Sequence, residues 1–192
     1  MDDEGIKPFR WTAEEFYLAL DAGAFIDRRV QLIDGEILEM ASMKNPHALG
    51  IAALDDYLCQ AFGSGYWVRV QMSIDLSPRS VPDPDIAVIA GSYQSHRGTD
   101  NPTSALLIVE VSDTTLRYDR RVKTSLYAAS GIADYWILNV VDGQLEVYRD
   151  PVPDANARFG WAYASRTDLL PGATVSPLAL PGASIAVADL LP

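Results

Sequence analysis

With a single cysteine, Cys59, in 192 residues, the chain can form neither an intramolecular disulfide nor a zinc site built from several thiolates. A small core or rim residue on a helix accounts for Cys59. Histidine is nearly as scarce, at two residues, and the only lysines are Lys7, Lys44 and Lys123. No apolar stretch approaches the roughly 20 residues needed to span a bilayer. The acidic start Met1-Asp2-Asp3-Glu4 is not followed by the apolar core of a secretory signal. A cytoplasmic protein with no membrane segment is therefore expected. Positive charge is in deficit, 15 Lys and Arg against 26 Asp and Glu, for a net charge of −11. Proteins that grip phosphate backbones usually carry a basic face, so this balance counts against nucleic acid. The local exception is Arg117, Arg120, Arg121 and Lys123, which a solvated helix face explains as well as a phosphate-contacting patch. Bound divalent cations would offset part of the negative field.

What is present is apolar: 48% of the residues, enough for one globular domain with a sizeable core over 1–192. The chain is expected to divide into an N-terminal helix and hairpin (1–44), a core (45–150) and a proline-rich closing segment (151–192). Thr12-Ala13-Glu14-Glu15 matches a capping box and predicts a helix over about 13–22. Asp34-Gly35 between Val30–Ile33 and Glu36–Met40 is a strong hairpin signal. Asn45, with Pro46 in the first turn, predicts the cap of a second helix running to Phe62. On that helix His47, Ile51, Leu54, Leu58 and Phe62 share one face, so His47 points inward at its start. Strands are expected at about 67–76, 85–90 and 105–112. A helix over 118–130, closed by Gly131, carries an apolar stripe of Tyr118, Val122, Leu126 and Ala129. Asp119 and Lys123 fall at its rim and Arg120 points away. Asp142-Gly143 predicts a second hairpin. Beyond Asp150, where six of the twelve prolines fall, loops and short strands are expected to close over the body. The aromatics Tyr135, Trp136 and Tyr148 fit either a core or a contact surface.

The chemistry centres on two acids. Glu110 sits inside the apolar run Leu106–Val111, which reads as a strand covered on both faces. A lone ionised carboxylate there is very costly, so a metal, a cation or a proton must compensate it. Asp85 poses the same problem at the start of Ile86–Ala90. On neighbouring strands the two carboxylates could converge on one hard cation, with oxygen ligands and water favouring Mg²⁺ or Mn²⁺. The competing structural explanations are a turn residue after Pro84 for Asp85, a buried pair with an arginine for Glu110, and a surface pair for Asp119 and Lys123. Asp83, in Val81-Pro82-Asp83, competes with Asp85, which is better placed directly before the strand.

Pro84-Asp85 followed by Glu110-Val111, on strands in this order, resembles the PD-(D/E)XK restriction-endonuclease-like superfamily. More narrowly, the chain is similar to a bacterial restriction-endonuclease family long classed as a domain of unknown function. The likeness runs through Leu32–Glu36, the His47 helix start, Val81–Ile86, Ile108–Ser112, Lys123, Tyr127 and Gly131–Leu138. It implies an α/β fold with a mixed sheet flanked by helices, and Asp85 and Glu110 as metal ligands. Two departures stand out. The position two after Glu110 is Ser112 rather than lysine, and Lys123 on the next helix matches the displaced lysine. Gln31 stands where the family tends to have an acid, with Glu36 the nearest substitute.

The function implied is divalent-metal-dependent hydrolysis of phosphodiester bonds, with DNA as substrate, Mg²⁺ or Mn²⁺ as cofactor and Asp85, Glu110 and Lys123 as catalytic residues. Glu36, His47 and Asp119 are candidate supports, and Arg117, Arg120 and Arg121 candidate phosphate contacts. Two alternatives stay open: a nuclease-like fold that has lost catalysis and serves binding or assembly, and a hydrolase of a small phosphate or nucleotide. A homodimer is also open.

Overall fold

The computed structural model describes residues 7–192; the acidic Met1–Glu4 segment lies outside them. Local chemistry sets most of the elements. Thr12 and Glu15 form a reciprocal capping box that starts helix α1 (Ala13–Asp21). Strands β1 (Val30–Ile33) and β2 (Glu36–Glu39) form an antiparallel hairpin, turned by Asp34 at φ 53° and Gly35 at φ 73°. Two successive positive φ values are what an Asp-Gly turn accommodates. Helix α2 (Asn45–Phe62) has the expected extent, but Asn45 is its first residue; Lys44 is the cap and makes no side-chain capping bond. Strand β3 (Tyr66–Val70) stops well short of the expected end, because Gln71 takes φ 51° and turns the chain out of the sheet. Strand β4 (Ile86–Ala90) begins one residue after Asp85, and β5 covers Leu107–Ser112.

The helix expected over 118–130 is composite. It consists of α3 (Leu116–Tyr118), a π turn (Asp119–Lys123) and α4 (Thr124–Ala129). Strands β6 (Asp134–Asn139) and β7 (Gln144–Pro153) form the second hairpin. The closing segment departs most from expectation. Trp161–Leu169 is a nine-residue strand, β8, paired along β7 at the sheet edge. Half-exposed edge strands lack a clean alternation, which is why the pattern reads as loop. The chain ends with the short pair β9 (Thr174–Val175) and β10 (Ile185–Ala186), then α5 (Val187–Leu190).

The result is a mixed α/β fold with a six-stranded sheet in the order β3-β4-β5-β6-β7-β8, antiparallel except between β5 and β6. The helical crossover joins that parallel pair. One face of the sheet packs Val88, Val109, Trp136 and Leu138 against Ile51, Leu54 and Leu58 of α2. The other packs Ile108, Tyr135 and Ile137 against Leu126 and Tyr127 of α4. Gly50 permits the close approach of α2: a Cβ there would lie 3.0 Å from Leu138 and 3.1 Å from Val111. That contact brings the first turn of α2, with His47, to the end of β5. Tyr135 and Trp136 are fully buried and Tyr148 nearly so, so these aromatics belong to the core and offer no contact surface. Cys59 is exposed on the rim of α2. Among the described residues no helix is long and apolar enough to cross a membrane.

Candidate functional site

The antiparallel register of β4 and β5 sets Ile86 opposite Val109, and so carries Asp85 to a position across from Glu110. Residues directly opposed in such a pair share a face of the sheet. Both carboxylates are buried, at 4% and 3% exposure, and both line one cleft of about 1140 Å³. Asp85 is held from three directions. The Val111 N–H donates to its Oδ2 at 2.9 Å, and Gln71 Nε2 and His47 Nε2 lie 3.1 and 3.2 Å from its Oδ1. Burial pushes this carboxyl upward, but the His47 hydrogen bond and charge, with Lys123 and the Val111 N–H, hold it below its ordinary value. His47 is raised in turn, since Asp85 outweighs the burial that would lower it.

Glu110 is served differently. Its Oε1 accepts from the Tyr127 hydroxyl at 2.6 Å and lies 2.8 Å from Lys123 Nζ. The π turn explains why Lys123 gets there. An added residue in one helical turn rotates the following side chains relative to a regular α-helix. Asp119 and Lys123, at the two ends of the turn, are both buried rather than at the rim, and Arg120 faces β7 instead of solvent. Asp119 Oδ2 accepts from Ser112 Oγ and Thr115 Oγ1, both at 2.6 Å. Ser112 thus anchors the segment that delivers Lys123.

Three carboxylates (Asp85, Glu110, Asp119) surround one ammonium. Burial raises Glu110 to about 7, with Lys123 opposing and the neighbouring Asp85 and Asp119 adding to the rise. Burial alone would lower Lys123, but Glu110, Asp119 and Asp85 together hold it above its ordinary value. Burial thus acts oppositely on the two groups, while the neighbouring carboxylates raise both. Such a cluster fits a hard cation. Among the described residues no three His, Cys, Asp or Glu side chains form a ready ligand cluster. Binding would rest on Asp85 and Glu110 with water, a donor set that suits Mg²⁺.

Of the other residues singled out in the sequence, His47, Asp119, Arg117 and Arg121 line the cleft. Glu36 and Arg120 do not. Glu36 pairs with Arg10 at 2.6 Å and lies 3.6 Å from Arg158, while Arg120 is committed to the buried Glu146. Asp83, the competitor of Asp85, accepts from Ser73 Oγ at 2.6 Å and is raised by burial. Gln31 lines the cleft and accepts the Asp83 N–H at 3.4 Å. Sequence reasoning missed Gln71, Arg29 and Tyr118. Gln71 falls inside a predicted strand, and nothing local announces its left-handed turn.

Residues 13–188 match the family Uma2, described as "Putative restriction endonuclease". Among solved structures, the chain is similar to a protein of Anabaena variabilis ATCC 29413 described as a putative nuclease belonging to DUF820. The TM-score is 0.67 at 13% identity, covering 94% of this chain and 97% of that one. No curated protein matches the sequence.

Proposed function

The chain belongs to the Uma2 family of restriction-endonuclease-like proteins, and on that premise we propose that it is a Mg²⁺- or Mn²⁺-dependent endonuclease hydrolysing DNA phosphodiester bonds. The observation that carries this is the facing pair Asp85 and Glu110 at the wall of a large cleft, with Lys123 Nζ 2.8 Å from Glu110. Asp85 and Glu110 would hold the cation. When bound, the cation supplies Lewis acidity, making water a better nucleophile and offsetting charge on the phosphate.

The chain's own residues divide the remaining work. His47, Gln71 and the Val111 N–H fix the orientation of Asp85, and Tyr127 fixes that of Glu110. Lys123 stays protonated in this acid-rich surrounding, so it acts as a donor to developing negative charge and not as a base. Arg117 and Arg121, exposed on the cleft lining, supply phosphate contacts for the incoming strand. A rival reading, a non-catalytic relic, draws on the existing Glu110–Lys123 pair, which could satisfy Glu110 without metal.

A Mn²⁺ titration by calorimetry separates the two. The wild type should show saturable binding that vanishes in Glu110→Ala, and Mg²⁺-dependent cleavage of DNA should vanish with it while the circular dichroism spectrum is kept. Absence of Mn²⁺ binding in the wild type would favour the relic; cleavage at wild-type rates by Glu110→Ala would exclude the proposed site.

A further inference from the structure

The cleft differs in charge from the rest of the molecule. The chain as a whole carries 26 acids against 15 bases, yet the cleft lining brings together Arg29, Lys44, Arg117, Arg121, Lys123 and Arg158 against Glu39, Asp85, Glu110, Asp113 and Asp119. The lining is close to charge balance, without the acidic excess of the whole chain, so an anion meets less repulsion there than over the rest of the surface. Lys44, Arg117 and Arg121 are exposed to water, and Arg158 lies 3.7 Å from Asp34 and 3.6 Å from Glu36. Arg29 is different. It is half-buried at the entry to β1, and its Nη2 is wholly buried with no hydrogen-bond partner among the described residues.

A buried cationic donor without an acceptor is costly and calls for an explanation. The nearby groups do not provide one. Asp83 feels the charge of Arg29, but Ser73 Oγ already occupies its Oδ1, and the two residues form no ion pair. Gln31, on the same strand edge and also on the cleft lining, is neutral. On α3, also on the cleft lining, the Tyr118 hydroxyl is likewise buried and unpartnered among the described residues, close enough to Lys123 and Arg158 to feel both charges. Arg29 and Tyr118 are both half-buried residues of the cleft lining, and side chains short of acceptors there match the acceptor-rich oxygens of a phosphate.

We infer that Arg29, assisted by the Tyr118 hydroxyl, is a substrate-binding residue that anchors a backbone phosphate of the DNA strand in the cleft. The inference rests on the nuclease reading for the identity of the strand, but not for the existence of the anion site.

The test measures fluorescence anisotropy of a labelled DNA oligonucleotide in Ca²⁺ and calorimetry of inorganic phosphate. The proteins are the wild type, Arg29→Gln, Arg29→Lys, Tyr118→Phe and Gln31→Glu, with Arg97→Gln as an exposed charge-matched control outside the cleft. Arg29→Gln should weaken DNA binding about 10- to 100-fold and lower the salt slope by about 1. Mn²⁺ affinity and melting temperature should stay at wild-type values. Arg29→Lys should recover part of the loss, and Tyr118→Phe should cost about 5-fold. Gln31→Glu, which sets a carboxylate beside Arg29, should also weaken binding, and Arg97→Gln should not. Loss of phosphate binding in Arg29→Gln, from a wild type that ignores DNA, would keep the anion site and remove the DNA reading. Equal binding of both ligands by wild type and Arg29→Gln, or binding of neither by the wild type, would overturn the assignment.

Discussion

Two buried glutamates lie side by side on one face of the sheet, with a single strand between them. Glu110 on β5 is in register with Ile137 on β6, and Ile137 with Glu146 on β7. The same π turn reaches both, sending Lys123 to Glu110 and Arg120 to Glu146. From there the two diverge. Glu146 receives Arg120 through Nε and Nη2, Asn139 at 2.8 Å and Tyr148 at 2.7 Å, with Arg166 at 3.3 Å. These donors outweigh its burial and hold it below the ordinary carboxylate range. Burial pushes Glu110, which shares one ammonium with two other carboxylates, up to about 7. Both acids are buried; what separates them is the ratio of donors to carboxylates. Glu146 has a surplus of donors and is closed, whereas Glu110 has a shortfall and opens on a cleft.

Neutralising each glutamate breaks the comparison most sharply. Glu146→Gln strands Arg120 and Arg166, and should cost about 3 kcal/mol, the lower end for a broken buried pair because both arginines reach water. Mn²⁺ binding should be untouched. Glu110→Gln relieves crowding among three acids but leaves the buried Lys123 with Asp119 at 3.9 Å, two opposed effects, so its stability at pH 8 should fall less than that of Glu146→Gln. It should abolish Mn²⁺ binding. Urea unfolding and calorimetry on the two variants give both numbers. Equal destabilisation, with Mn²⁺ binding kept in Glu110→Gln, would make both glutamates structural and remove the cation site.

The contrast also shows what the sequence can convey. Glu110 was legible because an acid inside a run of apolar β-formers is an anomaly, and Asp85 because Pro-Asp precedes a second such run. Antiparallel pairing then supplied the convergence. Helix α1, both Asp-Gly hairpins and the extent of α2 were legible because capping boxes, turn residues and apolar periodicity are local signals. The π turn was not, since Asp119-Arg120-Arg121-Val122-Lys123 reads as ordinary helix; the rotation that buries Lys123 and turns Arg120 onto Glu146 comes from packing. Glu146 itself escaped notice in a short hairpin strand. Its partner strand β8 also escaped, because an exposed edge carries no clear alternation.

Acidity separates the two glutamates a second way. Glu110 titrates at about 7 in the fold against an ordinary 4.5. Folding therefore takes up a proton between those values, and the stability this gives is fully present below 4.5 and lost as pH rises through 7. His47, also raised, acts in the same direction. Glu146 and Asp85 are held low, so their contributions persist above the ordinary carboxylate range and fade only in acid. Metal-free protein should thus lose stability from about pH 5 to 8, and less of it in Glu110→Gln. Mn²⁺ must displace the Glu110 proton, so its affinity should rise about tenfold per unit up to pH 7 and then level. Melting curves with chelator and with Mn²⁺ across this range test both signs. An affinity independent of pH would mean that Glu110 is not a ligand.

The smallest change is the most discriminating, because each glutamate accepts one tyrosine hydroxyl at nearly the same distance: Tyr127 to Glu110 at 2.6 Å, Tyr148 to Glu146 at 2.7 Å. Removing either hydroxyl deletes one hydrogen bond to a carboxylate, worth about 1 kcal/mol. Glu146 keeps its arginines and Asn139, so Tyr148→Phe should lower stability by about that amount and leave Mn²⁺ affinity unchanged at every pH. Glu110 keeps only Lys123, so Tyr127→Phe should raise its pKa further. Mn²⁺ binding at pH 7 should then weaken about threefold to tenfold, and raising the pH to 8.5 should recover most of the loss. That recovery is the decisive part, since a distorted site would stay weak at high pH while a site short of one donor would not.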